Sequence, residues 1–303
     1  MGRATLLAGF MLAGVLGAQT PHPLEHSSAP AEVQGPSPLY RVNVIDSSTM
    51  AVNYSARGTA SKVAFRGTVL LRDAKGEARV RNRQGAIEVD ARIEGLEPPG
   101  RFGEQYLTYV AWALTPQGRA TNLGQLVPDH KNRARLRTST ELQTFALIVT
   151  AEPYHAVTQP SNVVVLENIR HAETYGRIEQ IAIAPELLHR GEIDFDPSAA
   201  ERYRPNTGRV KLDVYEALLE LNQAKNALYL AQSANAHGLA ASAYGRAEDL
   251  YRTASQHYEG KRYGDAVAVA RQATQTAEDA RLVALERTRE RSPAPPAAAS
   301  GQE

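Results

Sequence analysis

Residues 86–93 read Ala-Ile-Glu-Val-Asp-Ala-Arg-Ile, and this alternation decides the front half of the chain. Successive side chains of a strand point to opposite faces, so Ile87, Val89, Ala91 and Ile93 share one face. The same period of two continues outward on both sides. It predicts further strands at 41–45, 50–54, 61–71, 76–83, 106–114, 120–126, 134–138, 143–151 and 163–167. Turn chemistry separates them at Asp73-Ala74-Lys75-Gly76, Glu97-Pro98-Pro99-Gly100 and Thr115-Pro116-Gln117-Gly118. Short strands with regular turns predict an immunoglobulin-like antiparallel β-sandwich over residues 40–167. Trp112, the only tryptophan, sits mid-strand among apolar neighbours and is expected in the core.

From Val210 the period becomes helical. Val214, Leu218, Leu221, Leu228 and Ala231 mark one stripe, ending near His237-Gly238, where glycine suits a helix C-terminus. Ala240, Ala243, Ala247, Leu250 and Ala254 mark a second, ending at Glu259-Gly260. Ala266, Ala270, Ala273, Ala277, Ala280 and Ala284 mark a third, in steps of four and three as in a coiled coil. Residues 210–291 are therefore expected to form an Ala-rich three-helix antiparallel bundle or helical hairpin, with the alanine seam against another helix. Residues 168–209 carry weaker patterning and read as a connector.

The flanks have a different character. Arg3 heads an uncharged run from Ala4 to Gly17, too short for the roughly 20 helical residues a bilayer core requires, so residues 1–20 read as a secretory signal peptide. Prolines 21, 23, 30, 36 and 38 make residues 21–39 a disordered linker, and the Pro/Ala-rich residues 292–303 a disordered tail. There is no cysteine, which excludes disulfides, thiolate chemistry and a lipoprotein anchor. These features predict an exported protein, periplasmic or associated with the cell envelope, that is not a lipoprotein and has no transmembrane span once mature. A net charge of +1 supplies no global field toward nucleic acid.

Two stretches carry a resemblance. Residues 102–126 (FGEQYLTYVAWALTPQGRATNLGQL) and 142–168 (LQTFALIVTAEPYHAVTQPSNVVVLEN) resemble the front domain of uncharacterised exported bacterial proteins. Residues 214–285, with Ala-Lys-Asn-Ala and Tyr-Glu-Gly-Lys-Arg-Tyr-Gly-Asp-Ala, resemble the helical domain of unknown function in bacterial envelope lipoproteins. Some such relatives add an outer-membrane protein A type domain that grips peptidoglycan. Only the low-complexity tail follows Arg291 here. The resemblance thus implies an envelope protein partner and indirect association with peptidoglycan or the outer membrane, and it brings no catalytic residues and no cofactor.

Candidate chemistry is sparse. Two Glu-x-x-His spacings occur, Glu152/His155 and Glu186/His189, but Pro153 splits the first, and both read as solvated loop residues rather than metal ligands. His22 and His26 in the linker, and Asp194 and Asp196 in the connector, lack the further ligands of a zinc or calcium site. No nucleophile elbow, phosphate-binding glycine loop or zinc helix is present. Two sets of residues remain as candidate partner-binding surfaces. Arg79, Arg81 and Arg83 alternate on one predicted strand and Arg133, Arg135 and Arg137 on another. If those strands are neighbours, they give either a solvated face that discourages edge pairing or a docking surface for an acidic partner or anionic glycan. Tyr244, Tyr251 and Tyr258 recur every seven residues, as packing or as a partner stripe. The pattern favours a non-catalytic envelope interaction or scaffold protein. An unrecognised envelope hydrolase and a periplasmic small-ligand carrier are the alternatives.

Overall fold

The computed structural model describes residues 48–55, 60–83, 85–176, 178–182 and 211–291. Its front part is all antiparallel. The strands are β1 Ser48–Asn53, β2 Ala60–Gly67, β3 Lys75–Arg83, β4 Ala86–Glu94, β5 Thr108–Leu114, β6 Ala120–Leu126, β7 Arg133–Thr140, β8 Thr144–Glu152, β9 Val164–Arg170 and β10 Ile178–Ala182. Strand pairing runs β6-β5-β8-β9-β2-β3-β4-β7. β6 then lies beside β7 without pairing to it, so one sheet curls into a nearly closed, barrel-like form. β1 joins the N-terminal end of β8 through Val52 and Asn53 and carries β10 on its other edge. Where an immunoglobulin-like sandwich of two sheets was expected, the pairing is continuous.

Alternation places the core. Val80, Ile87, Val89, Ile93, Phe65 and Leu147 point inward, while the intervening residues of β3 and β4 face out. β5 and β8 differ, because nearly every residue of both is buried. Tyr109, Ala111, Ala113, Phe145, Leu147 and Val149 fill the interior of the curled sheet. Val110, Trp112, Leu114, Ala146 and Ile148 point the other way, into a second core shared with Ala227, Ala247 and Ala277 of the helices. A strand covered on both faces reads as an unbroken apolar run, as TYVAWAL and FALIV do. Trp112 is fully buried as expected, but at the contact between sheet and helices.

The helices are α1 Leu212–Ser233, the single turn α2 Ala236–Leu239, α3 Ala241–Glu259 and α4 Tyr263–Arg291. Asn235 takes a left-handed conformation, φ 61°, and turns the chain out of α1 earlier than Gly238 would have. The six seam alanines of α4, from Ala266 to Ala284, have no exposed surface. On α1 the expected stripe holds at Leu221 and Ala231, which are buried, but Leu218 is 44% exposed, and Ala217, Ala224 and Ala227, which were not expected there, are fully buried. Alanine lets helix axes approach closely, so small residues take the innermost positions beside Leu219 and Leu221. At about 1.5 Å per residue, α4's 29 residues extend about 43 Å, and those beyond Ala284 are exposed. No helix among the described residues is long and apolar enough to cross a membrane.

Candidate functional site

The register of β3, β4 and β7 sets the arginines in order. β4 lies between the other two, so Arg79 faces Asp90, which in turn faces Arg137. Arg81 faces Glu88, and Arg92 faces Arg135. The two arginine columns are thus on one outer face but separated by a strand bearing carboxylates. Arg135 grips Asp90 with two bonds, Nε to Oδ1 at 3.0 Å and Nη2 to Oδ2 at 2.6 Å. Arg137 adds Nε to Oδ2 at 3.3 Å. The hydrogen bond from Arg135 outweighs desolvation and holds the Asp90 carboxyl below its ordinary range. Arg83 reaches Glu88 at 3.5 Å, and Arg133 pairs with Asp129 at 2.9 Å. Arg79 and Arg81 have no carboxylate partner within 4 Å among the described residues, and with Glu88, Asp90 and Arg137 they line a shallow groove over β4.

Widening the view to β2 shows how strongly this face leans to one sign. Lys62 stands directly opposite Arg79, and Arg66 opposite Lys75. The outward positions of the four strands carry ten cations (Lys62, Arg66, Lys75, Arg79, Arg81, Arg83, Arg92, Arg133, Arg135, Arg137) and four carboxylates (Glu77, Glu88, Asp90, Glu94). Like charges directly opposite one another destabilise a sheet. Three such pairs (Lys62/Arg79, Arg66/Lys75, Arg92/Arg135) occur here, eased by Glu173 on Lys62 and Glu167 on Arg66.

The tyrosine stripe lies on α3. Tyr244 is 9% exposed and packs with Leu239, Ala280 and Ala284, its ring edge-on to His237. Tyr251 and Tyr258 are half-buried against Leu221, Ala224, Ala254, Ala270 and Ala273.

Glu152 and His155 are not solvated loop residues. Glu152 is fully buried, and its Oε1 accepts from the Thr150 hydroxyl at 2.6 Å and from Ser161 N at 2.7 Å. The Thr150 hydroxyl oxygen in turn accepts from the Trp112 indole at 2.8 Å. His155 lies against α1: its backbone N–H donates to Gln223 Oε1 at 2.8 Å, and its Nδ1 is 3.5 Å from Glu220 Oε2. Glu186, His189, His22, His26, Asp194 and Asp196 lie outside the described residues, among which no three His, Asp or Glu gather as metal ligands.

A polar clasp between sheet and helices has no counterpart in the sequence reading. Glu278 of α4 is fully buried. It accepts hydrogen bonds from the Tyr154 hydroxyl (2.6 Å), the Thr158 hydroxyl (2.9 Å) and Arg281 (2.6 and 2.8 Å). Burial pushes its carboxyl up, but Arg281, Tyr154 and Thr158 together outweigh that and leave it below the usual range. Glu220 of α1 behaves alike: burial raises it, His155 and Arg271 more than compensate, and Arg271 bonds it at 2.9 Å. These bonds tie the segment after β8 to α1 and α4. Compared with protein-family models and with curated proteins, the chain matches none.

Proposed function

We propose that this chain is a non-catalytic interaction or scaffold protein of the bacterial cell envelope, exported through its N-terminal segment and held by a partner rather than by a lipid. The observation that carries the reading is the outer face of β2, β3, β4 and β7, where ten cations meet four carboxylates. Only β9 separates it from β8, and only β6 from β5, but none of its outward residues belongs to the core that the helices share with β5 and β8, so helix packing leaves it open. The resemblance to exported envelope proteins and the signal-like residues 1–20 support the compartment, and with it indirect association with peptidoglycan or the outer membrane. We take the curled sheet as a docking module of immunoglobulin-like kind, a description resting on its antiparallel pairing and inside–outside alternation. The long α4 serves as the spacer.

Photo-crosslinking in intact cells tests this. A crosslinker at Arg79 or Arg81 should give an adduct that one at exposed Lys225 on α1 does not. Turnover of an envelope polymer by the purified chain, or an unprocessed cytoplasmic protein with Met1 intact, would overturn the reading.

A further inference from the structure

The groove over β4 is specific enough to name a ligand. We infer that the β2–β3–β4–β7 face binds a linear anionic polysaccharide, its carboxylates or other acid groups bridging Arg79 and Arg81 on one side and Arg137 on the other. The inference rests on the interaction reading above and deepens it.

Charge is the first argument. Although Lys75, Arg79 and Arg92 each also face a carboxylate, the outward positions keep ten cations to four carboxylates, and that excess attracts a polyanion. Geometry is the second. The two arginine columns lie two strand spacings apart, about 9–10 Å, and outward residues recur about every 6.6 Å along each strand. A flexible chain lying over β4 therefore meets guanidinium groups repeatedly on both sides. Asp90 and Glu88 at the floor are already neutralised, Asp90 by Arg135 and Arg137, Glu88 by Arg83. The forked guanidinium groups of Arg79 and Arg81 lie beyond 4 Å of any carboxylate among the described residues, Arg79 acting on Glu173 only through its charge, and they suit bidentate bonding to an acid group.

The chemistry missing from the face selects among polyanions. Its outward positions are charged or are Ala60, Ala64, Ala86 and Ser139, and no exposed aromatic or large aliphatic side chain is among them. A protein partner takes its affinity from buried aromatic and aliphatic anchors in a desolvated centre. Single-stranded nucleic acid needs aromatic platforms for its bases. Stable anchoring at a membrane takes an inserted apolar element or a lipid chain beside a basic patch, and this face offers neither. A hydrated, charged sugar polymer needs none of these.

The test uses the full chain and a fluorescently labelled polyuronate oligomer, read by anisotropy at about 50 mM salt, with poly-glutamate and duplex DNA as competitors. Polyuronate should bind and should be released steeply as salt rises. Arg79→Gln with Arg81→Gln should weaken binding by about tenfold or more, in line with losing two charge contacts. Arg246→Gln with Arg262→Gln, exposed on the helical half, should bind as wild type does. Asp90→Asn, which frees Arg135 and Arg137, should bind more tightly. Absence of polyuronate binding, equal binding by the Arg79/Arg81 variant, weaker binding by Asp90→Asn, or stronger binding of either competitor would each overturn the inference. None of these results touches the broader reading, which falls only to turnover or to a cytoplasmic location.

Discussion

Tyr154 donates its hydroxyl hydrogen to Glu278 Oε2 at 2.6 Å, across 124 positions of sequence. With Thr158 and Arg281 on the same carboxylate, that bond ties the segment after β8 to the middle of α4. Tyr154→Phe leaves the buried charge one donor short, a loss expected at about 1.5–3 kcal/mol. Glu278→Gln strands the mostly buried Arg281 without its counter-charge and should cost about 3–5 kcal/mol. Urea denaturation of the full chain measures both. Equal loss from the two variants would mean that Arg281 finds another partner.

The clasp also predicts how stability depends on pH. Glu278 and Glu220 both sit below the ordinary carboxylate value of 4.5 in the folded chain. As pH falls past 4.5 the unfolded chain takes up protons that the folded chain still refuses, so stability drops. The contribution is complete above that value and disappears once pH passes below the folded-state values. Denaturation midpoints measured stepwise into acid should fall less steeply for Glu278→Gln than for wild type, whatever its starting level. A parallel slope would show that other carboxylates set the acid limb.

The alanine seam of α4 offers a packing test. Ala273 and Ala277 are fully buried, so Ala273→Leu and Ala277→Leu should each cost about 1–3 kcal/mol through overpacking. Leucine is nearly as good a helix former as alanine, so propensity could not explain such a loss. Thr276→Leu, at a half-exposed position between them, should melt close to wild type. A thermal melt that failed to separate the seam variants from Thr276→Leu would refute the close contact.

Because Val110, Trp112, Leu114, Ala146 and Ile148 share a core with the helices, the front part expressed without residues 211–291 should present an apolar surface. Binding of an environment-sensitive apolar dye, strong for the fragment and weak for the full chain, is the expected result. A fragment as dye-silent as the whole protein would show that the sheet can close over that face by itself.

Much of the front half was legible because β3 and β4 are buried on one face only, which writes period two into the sequence. β6 matches its expected bounds of 120–126, and β5 and β8 lie close to theirs. Their unbroken apolar runs were read only as core strands, since a run alone does not say that helices cover the second face. The helices were visible from periodicity, but their inner faces were not fully so. Choosing the largest apolar residue at each turn selects Leu218, whereas close helix contact selects Ala217 and Ala224. Glu220, Gln223 and Glu278 resemble solvated residues in any helical reading and are buried because the segment after β8 and the arginines of α4 supply their partners. β10 fell within the weakly patterned connector, since its pairing with β1 is a long-range event. Both arginine columns were legible, but the carboxylates between them depend on β4 lying between β3 and β7, which no local pattern records.

The chain's lone indole is placed where it matters most. Trp112 is fully buried between sheet and helices, with its N–H fixed on the Thr150 hydroxyl. Its emission therefore acts as a built-in optical gauge of that junction, with no second indole to blur the signal. A red shift would mark solvent entering between the two halves, and a constant wavelength during ligand titration would mean that the event at the arginine groove stays local.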